Sequence, residues 1–293
     1  MFKVIKNIVT SMRLQQWIKN LFIFAALIFS AHLFNLQDLI LTILGFISFS
    51  LVASGTYIIN DIADLKKDQL HPLKSNRPLP SGRLSKREAF AGAIIIIAIG
   101  MIISYVLNTN FALVVLSYIV INIIYSFGLK DIVILDVMTI SAGFVLRVIG
   151  GAVLIQVPTS EWLIICTILL SLFLGFSKRR HELLLLENNA NSHRSVLQHY
   201  SPYFLDQMIS IVTATTVMSY ALYTISTDTI HKFGTSNLIY TVPFVLYGIF
   251  RYLYLVHKRE EGGNPAKLAL TDLPLFINII LWFICVTIII YFK

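Results

Sequence analysis

The stretch Leu39–Ile59 is apolar almost throughout and long enough to cross a bilayer, and such a stretch leaves a chain few choices. Inside hydrocarbon every backbone N–H and C=O has to be satisfied within the segment, so a single span folds as a helix. Stretches of this kind recur at Ile18–Phe34, Leu39–Ile59, Ala89–Leu107, Phe111–Phe127, Ile134–Ile155, Trp162–Phe176, Met208–Ile225, Leu238–Val256 and Leu273–Phe292. At about 20 residues per crossing, the sequence predicts an all-α polytopic membrane protein with about nine transmembrane helices. Lys19 and Asn20 interrupt the start of the first, where Lys19 can snorkel to the interface. The runs are continuous rather than alternating, which excludes a β-barrel. A hydrophobic share of 57%, with only 13% charged residues and a mean hydropathy of +0.78, excludes a soluble globular chain.

The connections alternate in character. Those at 35–38, 108–110, 156–161 and 226–237 are short, and Lys232 is their only Lys or Arg. The others are basic: the N-terminus with Lys3, Lys6, Arg13 and Lys19, the loop 60–88, the turn with Lys130, the loop 177–206 with Lys178, Arg179, Arg180 and Arg194, and the loop 257–272 with Lys258, Arg259 and Lys267. This bias predicts that the basic side and the N-terminus face the cytoplasm of a plasma membrane, with Lys293 outside as a minor exception. Twelve of the fifteen acids fall on the same side, and Asp38, Glu161 and Asp228 alone fall on the other. Acids do not set topology, so their concentration needs another cause, and a cytoplasmic site supplies one. Residues 1–16 mix Lys3, Lys6 and Arg13 with Val4, Ile5, Ile8, Val9 and Met12 and predict an interfacial amphipathic helix. No small-residue cleavage site follows the first apolar run, so that run is expected to be retained. Cys166 and Cys285 lie inside predicted spans and are expected to be free thiols. With no Walker, Rossmann or zinc pattern and no long linker, residues 1–293 are expected to form one integral-membrane domain without a nucleic-acid partner.

Chemistry concentrates where the second span ends. Asp61, Asp64 and Asp68 follow at i, i+3 and i+7, so on a helix they share a face. Three carboxylates so close repel one another unless a cation lies between them. Mg²⁺ takes hard oxygen ligands and usually keeps waters and substrate phosphates as its other partners. The cluster therefore predicts a place where a metal-bound diphosphate meets a lipid, against the plainer reading of a solvated acidic loop. Pro72, Pro78, Pro80 and Gly82 hold the following segment in turns, and Lys74, Arg77 and Arg83 give it phosphate-binding charge. The plainer reading of these cations is the positive-inside bias.

The next basic turn repeats this logic. Tyr125 and Lys130 precede Asp136, which a short apolar stretch carries into the fifth span, where an ionisable residue is expensive and usually functional. Arg147 lies about three turns deeper, too far along one helix to pair with Asp136, so it needs a partner elsewhere. Lys178 and Arg179, in the third basic turn, are candidate phosphate contacts as well as topology signals.

Asn60-Asp61-x-x-Asp64-x-x-x-Asp68 resembles the first aspartate-rich motif of the UbiA superfamily of intramembrane prenyltransferases. The resemblance covers essentially the whole chain and implies nine helices with two cytoplasmic metal half-sites. The second motif usual in aromatic prenyltransferases is an Asp-x-x-x-Asp pair. Here Val137, Met138, Thr139 and Ile140 follow Asp136, so the pair is missing. Tyr125-x-x-x-x-Lys130-x-x-x-x-x-Asp136, Gly143–Arg147, Arg13–Asn20, His71-Pro72 and Phe176–Glu182 together make the chain similar to the decaprenyl-phosphate phosphoribosyltransferase branch. Its members move a phosphoribosyl group from phosphoribosyl pyrophosphate to a polyprenyl phosphate.

The expected catalytic residues are Asp61, Asp64 and Asp136, with Mg²⁺ held by Asp61, Asp64 and Asp68. Two roles stay open for Asp136, a second metal or the ribose. Lys19, Asn60, Asp68, Lys74, Arg77, Tyr125, Lys130, Arg147, Lys178 and Arg179 are the expected substrate contacts. The lipid phosphate is already anionic and needs no strong general base, which agrees with the lack of a nucleophile–base pair. Two rival readings are prenyl transfer from a polyprenyl diphosphate to an aromatic acceptor such as 4-hydroxybenzoate, and a lipid transporter whose pathway Asp136 and Arg147 line.

Overall fold

The computed structural model describes residues 2–70, 74–185, 195–259 and 262–292. His71, Pro72, Arg194 and Lys293 lie outside the described residues. All regular elements among the described residues are helical. Eight helices are long and apolar enough to cross a membrane: α3 (Leu36–Ala63), α5 (Lys86–Leu107), α6 (Thr109–Phe127), α7 (Leu135–Leu154), α8 (Glu161–Leu185), α9 (Pro202–Ile225), the helix Asn237–Lys258 that contains α11 (Val242–Lys258), and α13 (Leu273–Tyr291). The protein is an integral membrane protein. The shorter helices are α1 (Phe2–Ser11), α2 (Phe24–Phe29), α4 (Leu65–Leu70), α10 (Thr227–Phe233) and α12 (Pro265–Thr271).

The first predicted span departs from expectation. Instead of one long α-helix it is a 3-10 helix, Leu14–Ile23, running into α2. Ten residues at about 2.0 Å rise and six at about 1.5 Å reach about 29 Å, close to the hydrocarbon thickness of about 30 Å. The 3-10 form has its cause in tertiary contacts. Its three-residue period puts Trp17, Asn20 and Ile23 in one column. Trp17 Nε1 donates to Ser54 Oγ at 3.0 Å, Asn20 Nδ2 donates to Ser50 Oγ at 2.8 Å, and Ile23 is fully buried. An α-helix would turn successive members of that column away from α3. Gly151 of α7 permits the contact at Ile23, because a Cβ there would collide with the Ile23 carbonyl.

The described residues group into two compact units, Met1–Thr159 with Asn189–His199, and Ser160–Asn188 with Tyr200–Lys293. In the first, α3 packs closely on α5. Ser48 Oγ donates to the Gly100 carbonyl at 2.8 Å and meets Ser104 Oγ at 2.6 Å, the small-residue contact that holds helices together in lipid. Phe49, Val52, Ala53, Phe111, Val115, Tyr118 and Ala152 fill the core. The amphipathic α1 turns Val4, Ile8 and Met12 toward Ile58, Leu79 and Leu84, and leaves Ile5 and Val9 exposed. In the second unit, Trp282 Nε1 donates to Tyr220 Oη at 2.9 Å, and that hydroxyl lies 2.7 Å from Thr241 Oγ1. Asp272 caps α13 through the Leu275 N–H and takes both arms of Arg251 at 3.0 and 2.7 Å. Cys166 and Cys285 are free thiols.

Candidate active site

Helix α3 outlasts its apolar stretch and ends at Ala63, so Asn60 and Asp61 occupy its last turn. Asp64 caps it and α4 follows. The hydrogen bonds from Asp64 N to Asn60 O (2.9 Å) and from Asp68 N to Asp64 O (2.8 Å) carry the helical pattern across the break. The loop beyond is fixed by Leu79 and Leu84, both buried, and Gly82 takes the left-handed conformation (φ 74°). A turn from Lys74 O to Arg77 N sets Arg77 over the carboxylates.

The carboxylates are not left to repel one another, because the protein places its own cations between them. Arg77 Nη1 lies 3.1 Å from Asp61 Oδ1 and 2.9 Å from Asp68 Oδ2. Arg13 Nη2 donates to Asp61 Oδ1, and its guanidinium lies over the Tyr57 ring. Lys74 Nζ is 3.5 Å from Asp68. Asp64 turns the other way, toward Lys130 Nζ at 2.5 Å and Asn60 Nδ2 at 3.2 Å. Ser126 Oγ donates to Asn60 Oδ1 at 3.0 Å, so the ends of α3 and α6 are tied together. Asp61, Asp68 and Lys130 are buried. Burial, and next the Arg13 guanidinium, pull Arg77 below the usual arginine value, against Asp61 and Asp68. It still keeps its charge at neutral pH. Among the described residues, three carboxylates thus face four cations, Arg13, Lys74, Arg77 and Lys130, a local surplus of one positive charge.

The structure therefore brings Asn60, Asp61, Asp64, Asp68, Lys74, Arg77 and Lys130 together, as the sequence suggests. Tyr125, near the end of α6, is half-buried. Asp136 is fully buried on the first turn of α7, just after Ile134, which takes a positive φ of 69°. A β-branched residue in that region is unusual and marks a constrained turn. Arg147 finds the partners it needs on other helices. Its Nε donates to Asn20 Oδ1 at 2.7 Å and its Nη2 to Tyr118 Oη at 3.1 Å, while Nη1 reaches the Gly143 carbonyl at 2.6 Å. Lys19, which precedes Asn20 in sequence, is half-buried. Lys178 and Arg179 belong to the second unit, on α8, where Glu182 engages both at 3.7 and 2.5 Å. Sequence reasoning omitted Arg13 and Ser126 from the site. Arg13 opens the Arg13–Asn20 motif, but nothing local reports that its left-handed turn (φ 53°) aims it at Asp61.

The donor set suits Mg²⁺ in kind. Asp61 and Asp68 present hard oxygens to one common cation, the Arg77 guanidinium, which a divalent ion can replace. Among the described residues no three His, Cys, Asp or Glu side chains converge as a metal group. The reason lies in the pairing, since Lys130 draws Asp64 away from the other two carboxylates.

A family model described as the UbiA prenyltransferase family matches residues 20–280. A decaprenyl-phosphate phosphoribosyltransferase of Corynebacterium glutamicum is 31% identical, over 97% of this chain and 87% of that protein. Another, from Mycolicibacterium smegmatis, is 30% identical over 99% of this chain and 94% of its own length. In fold, the chain resembles a UbiA homologue from Archaeoglobus fulgidus solved with GPP and Mg²⁺. The TM-score is 0.71 over 97% of this chain and 99% of that one, at 19% identity.

Proposed function

Because this chain belongs to the UbiA prenyltransferase family, we propose that it moves 5-phosphoribosyl from phosphoribosyl pyrophosphate to a decaprenyl-like polyprenyl phosphate, releasing pyrophosphate with the help of Mg²⁺. The observation that carries this reading is the surplus of cations around Asp61, Asp64 and Asp68. A ribose 5-phosphate, a diphosphate and a lipid phosphate together bring more negative charge than one allylic diphosphate does. The relatives from Corynebacterium and Mycolicibacterium, named for this transfer, support it over nearly the whole chain.

In the reaction, an oxygen of the lipid phosphate attacks C1 of the ribose. The bond from C1 to the diphosphate oxygen breaks and its electron pair leaves with the diphosphate. Mg²⁺, when bound, supplies positive charge to that departing group. Asp61 and Asp68 are the residues to hold it, with Asp64 as the further carboxylate of the set. Arg13, Arg77 and Lys74, relieved of their carboxylates, then face phosphate oxygens, for which arginine offers a bidentate fork and lysine a point charge. Lys130 holds Asp64 and the donor side of the site, and Asn60, fixed by Ser126, keeps the end of α3 in place. Asp136 serves a second metal or the ribose. Tyr125 completes the proposed substrate contacts of the first unit, and Lys178 and Arg179 are proposed phosphate contacts of the second.

The deciding assay uses purified protein with Mg²⁺ and phosphoribosyl pyrophosphate, with and without decaprenyl phosphate. Pyrophosphate should appear only when the lipid is present, together with a polyprenylphosphoryl phosphoribose. Prenylation of 4-hydroxybenzoate, with phosphoribosyl pyrophosphate left intact, would overturn the donor assignment. The site is proposed to open to the cytoplasm of the plasma membrane, with the N-terminus inside, because Lys and Arg collect on alternate loops. Single cysteines at Ser81 and at Asn237, placed in a chain without Cys166 and Cys285, should label from opposite sides, with Ser81 cytoplasmic. Labelling of both from one side refutes this topology.

A further inference from the structure

Arg147 is a cation buried in the apolar core of the first unit, and among the described residues no carboxylate pairs with it. It is 4% exposed, and its hydrogen-bond partners are all neutral: the Asn20 amide, the Tyr118 hydroxyl and the Gly143 carbonyl. The rings of Phe49, Tyr118 and Phe144 surround its guanidinium with centroids at 5.1, 4.8 and 5.3 Å. An arginine has five N–H donors, and three are used here, which leaves two, one on each Nη. That remaining pair is the fork with which arginine grips a phosphate or carboxylate.

A second cation, Lys19, stands one residue from Asn20, which accepts from Arg147 Nε. Lys19 feels the charges of Arg147 and Arg13, and among the described residues no carboxylate pairs with it. The 3-10 register explains the arrangement. Gln16 and Lys19 share one column of that helix, while Trp17, Asn20 and Ile23 form the column anchored on α3 and α7. Asn20 therefore spans the two features. Its amide nitrogen is fixed by Ser50 and its oxygen holds Arg147 Nε, one residue from Lys19. Two cations close together at low dielectric, with no acid between them, repel one another and favour an incoming anion.

The chemistry of that anion follows from its surroundings. A phosphate monoester carries about −1.5 to −2 charge at neutral pH, which matches one lysine and one arginine. The neighbouring aromatic pair Phe22 and Phe144, half-buried with centroids 4.9 Å apart, offers an apolar wall to an unsaturated chain. We propose that Lys19 and Arg147, positioned by Asn20, bind the phosphate of an isoprenoid lipid phosphate, and that Asp61, Asp68 and Arg77 serve the donor diphosphate. This division of labour rests on the phosphoribosyl-transfer reading.

The test measures binding rather than turnover. Full-length protein in phosphatidylcholine nanodiscs is titrated with decaprenyl monophosphate and, as the uncharged control, with decaprenol. Phosphoribosyl pyrophosphate with Mg²⁺ is titrated separately without either lipid. Wild type should prefer the phosphate over the alcohol by roughly 100-fold. Lys19→Gln should cut that preference roughly tenfold, and Arg147→Lys, which keeps the charge and loses the fork, by at least as much. The affinity for phosphoribosyl pyrophosphate should change in neither by more than about twofold. Among the described residues Lys19 has no side-chain hydrogen-bond partner, so its variant folds and decides the matter even where an Arg147 variant does not. An undiminished preference in Lys19→Gln, or an equal loss toward phosphoribosyl pyrophosphate, overturns the assignment. If wild type ignores phosphoribosyl pyrophosphate while the lipid arm behaves as stated, the anion site stands and the donor assignment fails.

Discussion

Asp61→Asn should lower turnover by roughly two to three orders of magnitude while the protein still folds. The amide keeps the size of the carboxylate and one acceptor oxygen but removes the charge on which two guanidinium groups converge, those of Arg13 and Arg77. Folding is protected because Arg77 retains Asp68 at 2.9 Å and Arg13 keeps its place over Tyr57. Catalysis has no such reserve. Asp61 and Asp68 are the two carboxylates that face a common cation, and loss of either breaks that pair and leaves Mg²⁺ to the other with Asp64. Comparison of the thermal unfolding midpoint with kcat separates the effects: a shift of a few degrees beside a collapse in kcat is expected. Near-normal turnover in Asp61→Asn, or full activity in excess EDTA, would remove the metal–diphosphate argument.

Much of this site is legible in the sequence, and the exceptions have physical causes. The eight long helices follow from apolar runs of membrane length, and several of their starts coincide with capping residues. Ser85 and Glu88 form a capping box that begins α5 three residues before the apolar run, while Asn35, Asn108 and Ser201 cap α3, α6 and α9. The aspartate triplet and the basic loop are visible because they lie within a short stretch. The 3-10 form of Leu14–Ile23 is not, since it depends on Ser50, Ser54 and Gly151, remote partners that no local pattern reveals. Arg13 was hidden for the same reason, as its role rests on a left-handed turn. The triplet itself shows the limit of periodicity. Spacing alone puts Asp61, Asp64 and Asp68 on one face, yet the side chains divide, two toward Arg77 and one toward Lys130.

That division sets up the second large effect. Lys130→Met should reduce kcat/KM for phosphoribosyl pyrophosphate by roughly 10- to 100-fold. Two explanations compete for such a loss. If Lys130 and Asp64 form only a structural ion pair, the single change strands a half-buried carboxylate, and neutralising Asp64 as well should restore the protein. If each group also meets a ligand, Lys130 a phosphate and Asp64 the metal, the double variant Asp64→Asn with Lys130→Met regains stability but not activity. The cycle reads both quantities on the same four proteins. Unfolding midpoints should show positive coupling, with the double variant more stable than the two single losses add up to. Values of kcat/KM should show none of that recovery and fall below either single variant. The Asn60–Ser126 bond is expected to survive in all four, because neither partner is changed, so the ends of α3 and α6 stay tied. Recovery of activity in the double variant would reduce Lys130 and Asp64 to a structural clamp and leave Asp61, Asp68 and Arg77 to hold the diphosphate without them.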